Sequence, residues 1–121
     1  MTQFENNYDL EKRTLLFSKN LVVFLKKCPK NIVTIPLIGQ GLRSGTSVGA
    51  NYREANGASS KKDFQNKIYI CKKEAKETLY WLELLGNSFD EEKLKEECRK
   101  LWQETKEFVL IFGKIAASSK S

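Results

Sequence analysis

Apolar and polar residues recur along this chain in a helical rhythm, in four blocks separated by turn-forming residues. In the first block Leu10, Thr14, Phe17, Leu21, Phe24 and Cys28 follow at intervals of four and three, the spacing of one helix face. Leu15, Leu16, Val22, Val23 and Leu25 widen that face, as in a helix with several neighbours. The pattern predicts a helix over about 8–28, with Asp9 as cap or in the first turn, stopped by Pro29. Ile38, Leu42, Gly45, Gly49 and Tyr52 carry the same rhythm over about 35–56, with Thr34 as candidate cap and Gly57-Ala58-Ser59-Ser60 as the turn. Phe64, Ile68, Cys71, Ala75, Thr78, Leu82 and Leu85 predict a third helix over about 60–86, capped by Ser59 or Ser60. Leu94, Cys98, Leu101, Thr105, Phe108, Phe112 and Ile115 predict a fourth over about 89–116, opening at Ser88 or Asp90. The β-branched run Val33-Thr34-Ile35 is too short to pair as a strand. The expectation is one all-α domain over 1–121, an antiparallel up-down-up-down four-helix bundle.

The second block is unusual within this pattern. Gly41, Gly45 and Gly49 recur every four residues in a predicted helix. Each interior glycine costs roughly 0.5–1 kcal/mol relative to alanine. Close approach of a neighbouring helix would offset that cost.

Composition narrows the function classes. The chain has 121 residues, 40% hydrophobic and 30% charged, enough apolar surface for a core. Its apolar runs fall far short of the ~20 residues that span a bilayer. Met1 to Asn7 show no basic segment leading into an apolar stretch, so no signal peptide is expected and the cytoplasm is the expected location. The three cysteines, Cys28, Cys71 and Cys98, lack CxxC spacing and read as reduced, buried thiols. Histidine is absent, which removes the commonest metal ligand and general base. The net charge of +6 is unevenly spread. Residues 11–30 carry +5 and residues 61–76 carry +4, against −2 over residues 90–107.

Glu74, Glu77 and Trp81 share one face of the third helix. Paired carboxylates can hold metals in bundles, but such sites use Glu-x-x-His pairs, and this chain has none. The preferred reading is a structural polar network joining Glu74 and Glu77 to Arg43, Ser47, Asn51, Arg53 and Glu54 on the second helix. A nucleophilic Ser44 or Ser47 would have only Lys or Glu as base. Gly39-Gln40-Gly41 with Gly45 lacks the lysine and preceding strand of a phosphate loop. No catalytic residue, cofactor or metal is therefore expected. Lys61, Lys62, Lys67, Lys72 and Lys73, with Tyr69 and Tyr80 nearby, are candidate nucleic-acid contacts, the alternative being a solvated helix face. Leu79, Trp81, Leu84, Trp102, Val109, Leu110 and Ile111 lie off the main seams and suggest self-association.

Three stretches resemble the four-helix bundle protein family, also known as the 23S rRNA intervening-sequence proteins. They are Tyr8-Asp9-Leu10-Glu11 with Arg13-Thr14; Leu42-Arg43-Ser44-Gly45-Thr46-Ser47-Val48-Gly49-Ala50-Asn51-Tyr52-Arg53-Glu54-Ala55; and Lys72-Lys73-Glu74-Ala75-Lys76-Glu77-Thr78-Leu79-Tyr80-Trp81-Leu82-Glu83-Leu84. The resemblance spans about residues 8–115. It implies an antiparallel four-helix bundle assembled as a ring-like homopentamer. It also implies relatedness to the accessory variability determinant protein of diversity-generating retroelements, which binds reverse transcriptase and nucleic acid. No catalytic residues carry over. The leading expectation is a non-enzymatic, oligomeric accessory protein that binds RNA or DNA. The alternative is a structural scaffold or protein–protein interaction module without nucleic-acid binding. Neither involves a membrane.

Overall fold

A computed structural model describes residues 3–119, with side chains from Leu10 onward. Four helices account for nearly all of it: α1 (Gln3–Lys27), α2 (Thr34–Asn56), α3 (Lys61–Asn87) and α4 (Glu92–Ser118). No strand occurs among the described residues. α2 packs on α1 and α3, and α4 packs on α3 and α1, so each helix has two neighbours in a closed four-helix arrangement.

The helix ends show which local signals act. α1 begins at Gln3, ahead of the expected start, so Asp9 falls inside the helix; its side chain lies outside the described residues. Ahead of α2 the capping residue is Asn31, not Thr34. Asn31 Oδ1 accepts from the amides of Val33 at 2.9 Å and Thr34 at 3.0 Å. The Thr34 hydroxyl instead accepts from the Asn31 amide at 2.9 Å and donates to the Pro29 carbonyl at 2.7 Å, which tightens the connection. Ser60 caps α3, its Oγ accepting from the Asp63 amide at 3.0 Å. α4 starts late, at Glu92. Phe89 is drawn into the core against Phe24, with ring centroids 6.0 Å apart, and the chain turns helical only after that anchor.

The core follows three of the four predicted seams. Leu10, Thr14, Phe17, Leu21 and Phe24 on α1 and Cys28 just after it are all buried. Ile68 to Leu85 on α3 and Leu94 to Phe112 on α4 keep their seams, with Phe64 and Ile115 half-buried at the ends. Aromatic contacts tie the layers: Phe17 meets Phe108 edge-on at 5.4 Å, and Tyr52 meets Phe112 at 5.6 Å. α2 departs from its predicted register. Its buried positions are Thr34, Gly41, Ser44, Gly45, Val48, Tyr52 and Ala55, whereas Leu42 is exposed and Ile38 half-buried. The buried face is rotated toward the small residues, because two helices press on it.

Those two contacts use different glycines. Gly41 faces α3, where an added Cβ would lie 3.8 Å from Trp81 Cβ and Leu85 Cδ1. Gly45 and Gly49 face α1. A Cβ on Gly45 would fall 2.2 Å from Leu21 Cδ2, and one on Gly49 would fall 3.2 Å from Thr14 Cβ. The glycine-spaced segment thus admits α1 closely at two turns and leaves ordinary contact with α3 at a third.

Candidate functional site

The densest polar cluster lies between α2 and α3. Ser44, Glu74 and Thr78 are buried there among apolar side chains. The Thr78 hydroxyl donates to the Glu74 carbonyl at 2.7 Å and lies 2.9 Å from Ser44 Oγ. Arg43 reaches over the top. Its Nη1 donates to both Glu74 oxygens at 3.3 Å, its Nη2 donates to Glu77 Oε1, and its Nε donates to Gln40 at 3.2 Å. Trp81 Nε1 donates to the same Glu77 oxygen at 3.1 Å. These donors hold the Glu77 carboxyl below its ordinary pKa, the Arg43 hydrogen bond acting most strongly and the Trp81 bond next. The Arg43 guanidinium is correspondingly pushed up, chiefly by its bond to Glu77. Every buried polar side-chain atom among the described residues has a partner.

This cluster differs from the predicted network in its membership. Arg43, Glu74 and Glu77 come together. Arg53 pairs instead with Glu11 on α1 at 3.6 Å, and Glu54 pairs with Lys67 at 2.8 Å. Asn51 donates to the Ser47 carbonyl at 2.8 Å, and Ser47 donates to the Arg43 carbonyl at 2.6 Å, so both serve their own helix. The reason is axial distance: ten residues separate Arg43 from Arg53, about 15 Å of helix. Ser44 takes the buried position by Thr78.

The chemistry open to the cluster is limited. Glu74 and Glu77 share one guanidinium rather than facing an open cavity. No group of three or more Cys, Asp or Glu placed to hold a metal occurs among the described residues. Gly45-Thr46-Ser47-Val48-Gly49 spells the GxSxG letters of a nucleophile elbow, against the expectation that this pattern is absent. It lies inside α2 rather than on a strand-to-helix turn, and Ser47 Oγ donates to its own helix. The three thiols are buried and free. Burial pushes Cys28 and Cys71 up to about 12 and Cys98 to about 11, far from a reactive thiolate.

An open groove of about 330 Å³ runs between α1 and α4, floored by Phe17, Phe24 and Leu101 and edged by Leu16 and Val23. Arg13 spans it with a bidentate pair to Glu104, both bonds 2.7 Å, and Lys27 meets Glu97 at 2.7 Å. These ion pairs tie α1 to α4 and leave no unpaired acid in the groove.

The candidate lysines divide. Lys61, Lys62 and Lys73 are exposed, with no acidic partner among the described residues. Lys67 is held by Glu54, and Lys72 lies across α4 at Gly113. Lys76, on the same outward side as Lys73, is a further exposed cation that the predicted set omits. The two indoles proposed as interface markers are engaged within the chain: Trp81 with Glu77 and Tyr80, Trp102 with Glu83 at 3.1 Å and Lys106. Of the residues proposed as interface markers Leu110 on α4 is exposed, at 58%, and other exposed apolar side chains lie on α1 and the α1–α2 connection, with Leu16 58%, Val23 53%, Ile32 89% and Val33 63% exposed.

The family described as 23S rRNA-intervening sequence protein matches residues 6–111. The chain belongs to that family. A solved structure of a protein with unknown function, from the S23 ribosomal protein family of Bacteroides thetaiotaomicron, is 34% identical to the chain. The match covers 88% of this chain and 96% of that one, with a TM-score of 0.75. No curated protein matches. No helix among the described residues is long and apolar enough to cross a membrane.

Proposed function

We propose that this chain is a non-enzymatic, self-associating bundle of the cytoplasm that binds nucleic acid as an accessory protein. The observation that carries this reading is the outward side of α3. It presents Lys61, Lys62, Lys73 and Lys76 without acidic partners, while Glu54, Glu74 and Glu77 are already paired. A net positive field of this kind suits phosphate. The family's rRNA-related description agrees with it. An up-down-up-down, antiparallel course is supported by contacts that run in opposite order along α2 and α3. Gly41 lies near Leu85, Ser44 near Thr78, Val48 near Cys71 and Glu54 near Lys67.

The test is binding of RNA and DNA over a range of salt. Affinity should fall steeply as salt rises, by a slope of about 0.7–0.9 in log–log form for each phosphate engaged. No binding at low ionic strength removes the reading. Replacing Lys61, Lys62 and Lys73 with Glu should abolish binding while leaving the fold intact.

A second reading, a scaffold or protein-interaction module without nucleic-acid binding, draws on the exposed apolar side chains of α1 and the connection after it. The same side chains support assembly of several copies, and a homopentamer would have about five times the chain mass of 13.9 kDa. Light scattering measures this directly. A monomer at micromolar concentration removes the assembly proposal.

A further inference from the structure

Along α3, Lys62, Asn66, Tyr69, Lys73, Lys76 and Tyr80 follow at intervals of four and three, and all six are exposed. At 3.6 residues per turn they fall within about 40° of a single line along the helix. This line is the reverse of the buried seam. It carries three lysines and no acid. Tyr69 is 41% and Tyr80 55% exposed, and the two stand about 16 Å apart along the axis, with Lys73 and Lys76 between them. Glu77, at the edge of the line, has its charge met by Arg43 and Trp81. The Tyr80 ring is braced edge-on by Trp81, with centroids 5.0 Å apart, so the polar cluster between α2 and α3 also orients the outermost aromatic.

We propose that this ridge is a binding site for single-stranded RNA, with bases stacked on Tyr69 and Tyr80 and the backbone held by Lys62, Lys73 and Lys76. The inference rests on the nucleic-acid reading above and goes beyond it by naming the strand type and the stacking residues. Lysines alone would serve a duplex equally well. Exposed rings alternating with lysines do not, because a duplex hides the base faces that the rings would cover. The choice of RNA follows from the polar atoms on the same line. The Asn66 amide and the two tyrosine hydroxyls are exposed hydrogen-bonding groups beside the stacking positions, suited to 2′-hydroxyls.

The experiment measures binding of the full-length chain to four probes of one unstructured sequence: single-stranded RNA, single-stranded DNA, and the RNA and DNA duplexes. Salt is varied throughout. Single-stranded RNA should bind tightest. Tyr69→Leu and Tyr80→Leu should each weaken it roughly five- to 150-fold at every salt concentration and leave the salt slope unchanged, since each removes one stacked base. Lys73→Gln with Lys76→Gln should instead lower the slope by about 1.4, two phosphates' worth for a single strand. All four positions are exposed, so an unchanged unfolding midpoint checks that the variants fold. Binding with a normal salt slope but no loss in either tyrosine variant overturns the ridge and leaves the nucleic-acid reading standing. Equal affinity for duplex overturns the single-strand assignment, and equal affinity for single-stranded DNA overturns the choice of RNA. Absence of any binding at low salt overturns both readings together.

Discussion

Alanine at Gly39 and at Gly45 is the same chemical change in the same helix, and it should have opposite effects. Gly39 is exposed and an added Cβ meets nothing within 4 Å. Gly39→Ala should therefore show the helix-propensity gain alone, about 0.8–1.0 kcal/mol. Gly45→Ala makes the same gain but places a methyl carbon 2.2 Å from Leu21 Cδ2 and 3.6 Å from Phe17 Cε2. Leu21 is fully buried and Phe17 nearly so, so the leucine cannot turn aside without disturbing the layer that joins α1 to α4. Overpacking of this kind costs about 1–3 kcal/mol, which leaves a net loss of up to about 2 kcal/mol. The two variants should thus differ by about 1–3 kcal/mol in opposite directions from the parent. Urea unfolding followed by circular dichroism reads the difference, at one protein concentration so that self-association does not shift the midpoints. A double-mutant cycle sharpens it. Leu21→Ala alone should cost about 2–5 kcal/mol, and markedly less with Ala at position 45, whose methyl fills part of the vacated space. Stabilisation of Gly45→Ala equal to that of Gly39→Ala, or strict additivity with Leu21→Ala, refutes close packing as the reason for glycine there.

Arg43→Gln removes the donor that Glu74 shares with Glu77 and should destabilise by about 1–2 kcal/mol, less than a fully buried pair because Arg43 is half exposed. Arg43→Lys should recover only part of this, since one ammonium cannot fork between two carboxylates; full recovery in urea titrations contradicts the geometry. Glu77 has a folded pKa below its ordinary 4.5, so its contribution is complete above that value and lost as pH falls through the folded one. Stability profiles should show a loss below about pH 4.5 that Glu77→Gln reduces; an unchanged acid limb argues against the carboxylate's role. The thiols have the opposite linkage. Burial raises them to about 11–12, so the unfolded chain loses protons first and stability should decline above about pH 9. An aromatic disulfide reagent at neutral pH should titrate three thiols only after unfolding, and rapid reaction in the native state contradicts their burial.

Three seams were legible in the sequence because bulky side chains mark them: Phe17 and Phe24 on α1, Ile68 and Leu82 on α3, Phe108 and Phe112 on α4. α2 was not legible in the same way. Its buried face is built largely from Gly41, Ser44 and Gly45, and hydropathy ranks these below the exposed Leu42. Only the partners decide such a face, and no spacing rule contains them. The late start of α4 has a similar origin, since Phe89 reads as a first-turn residue until Phe24 is seen to claim it. Pairing of Arg43 with Glu74 and Glu77 follows from opposite charge on facing helices. The assignment of Arg53 to Glu11 and Glu54 to Lys67 depends on height along the bundle, which composition does not encode. Lys76 and the exposed tyrosines were in plain view. The signal that finds them is the periodicity of the exposed face, read with the same care as that of the core.

α2 meets its two neighbours by different physical means, and the difference has a reason. Toward α1 it offers Gly45 and Gly49, into which Leu21 and Thr14 protrude, so shape alone fixes the axial position of α1. Toward α3 the contact at Gly41 is ordinary van der Waals spacing and tolerates sliding. There the fixed distances are polar: Ser44 to Thr78, and Arg43 to two carboxylates one helical turn apart. Sliding α3 by one turn would leave Glu74 buried without its guanidinium, a penalty that apolar packing could not impose. The outward ridge of α3 inherits this register. The contacts that set the height of α3 against α2 also hold Glu77 and Trp81 in place, and Trp81 in turn supports Tyr80. A half-exposed ion pair of modest net stability thereby acts on a face of the helix that it does not touch.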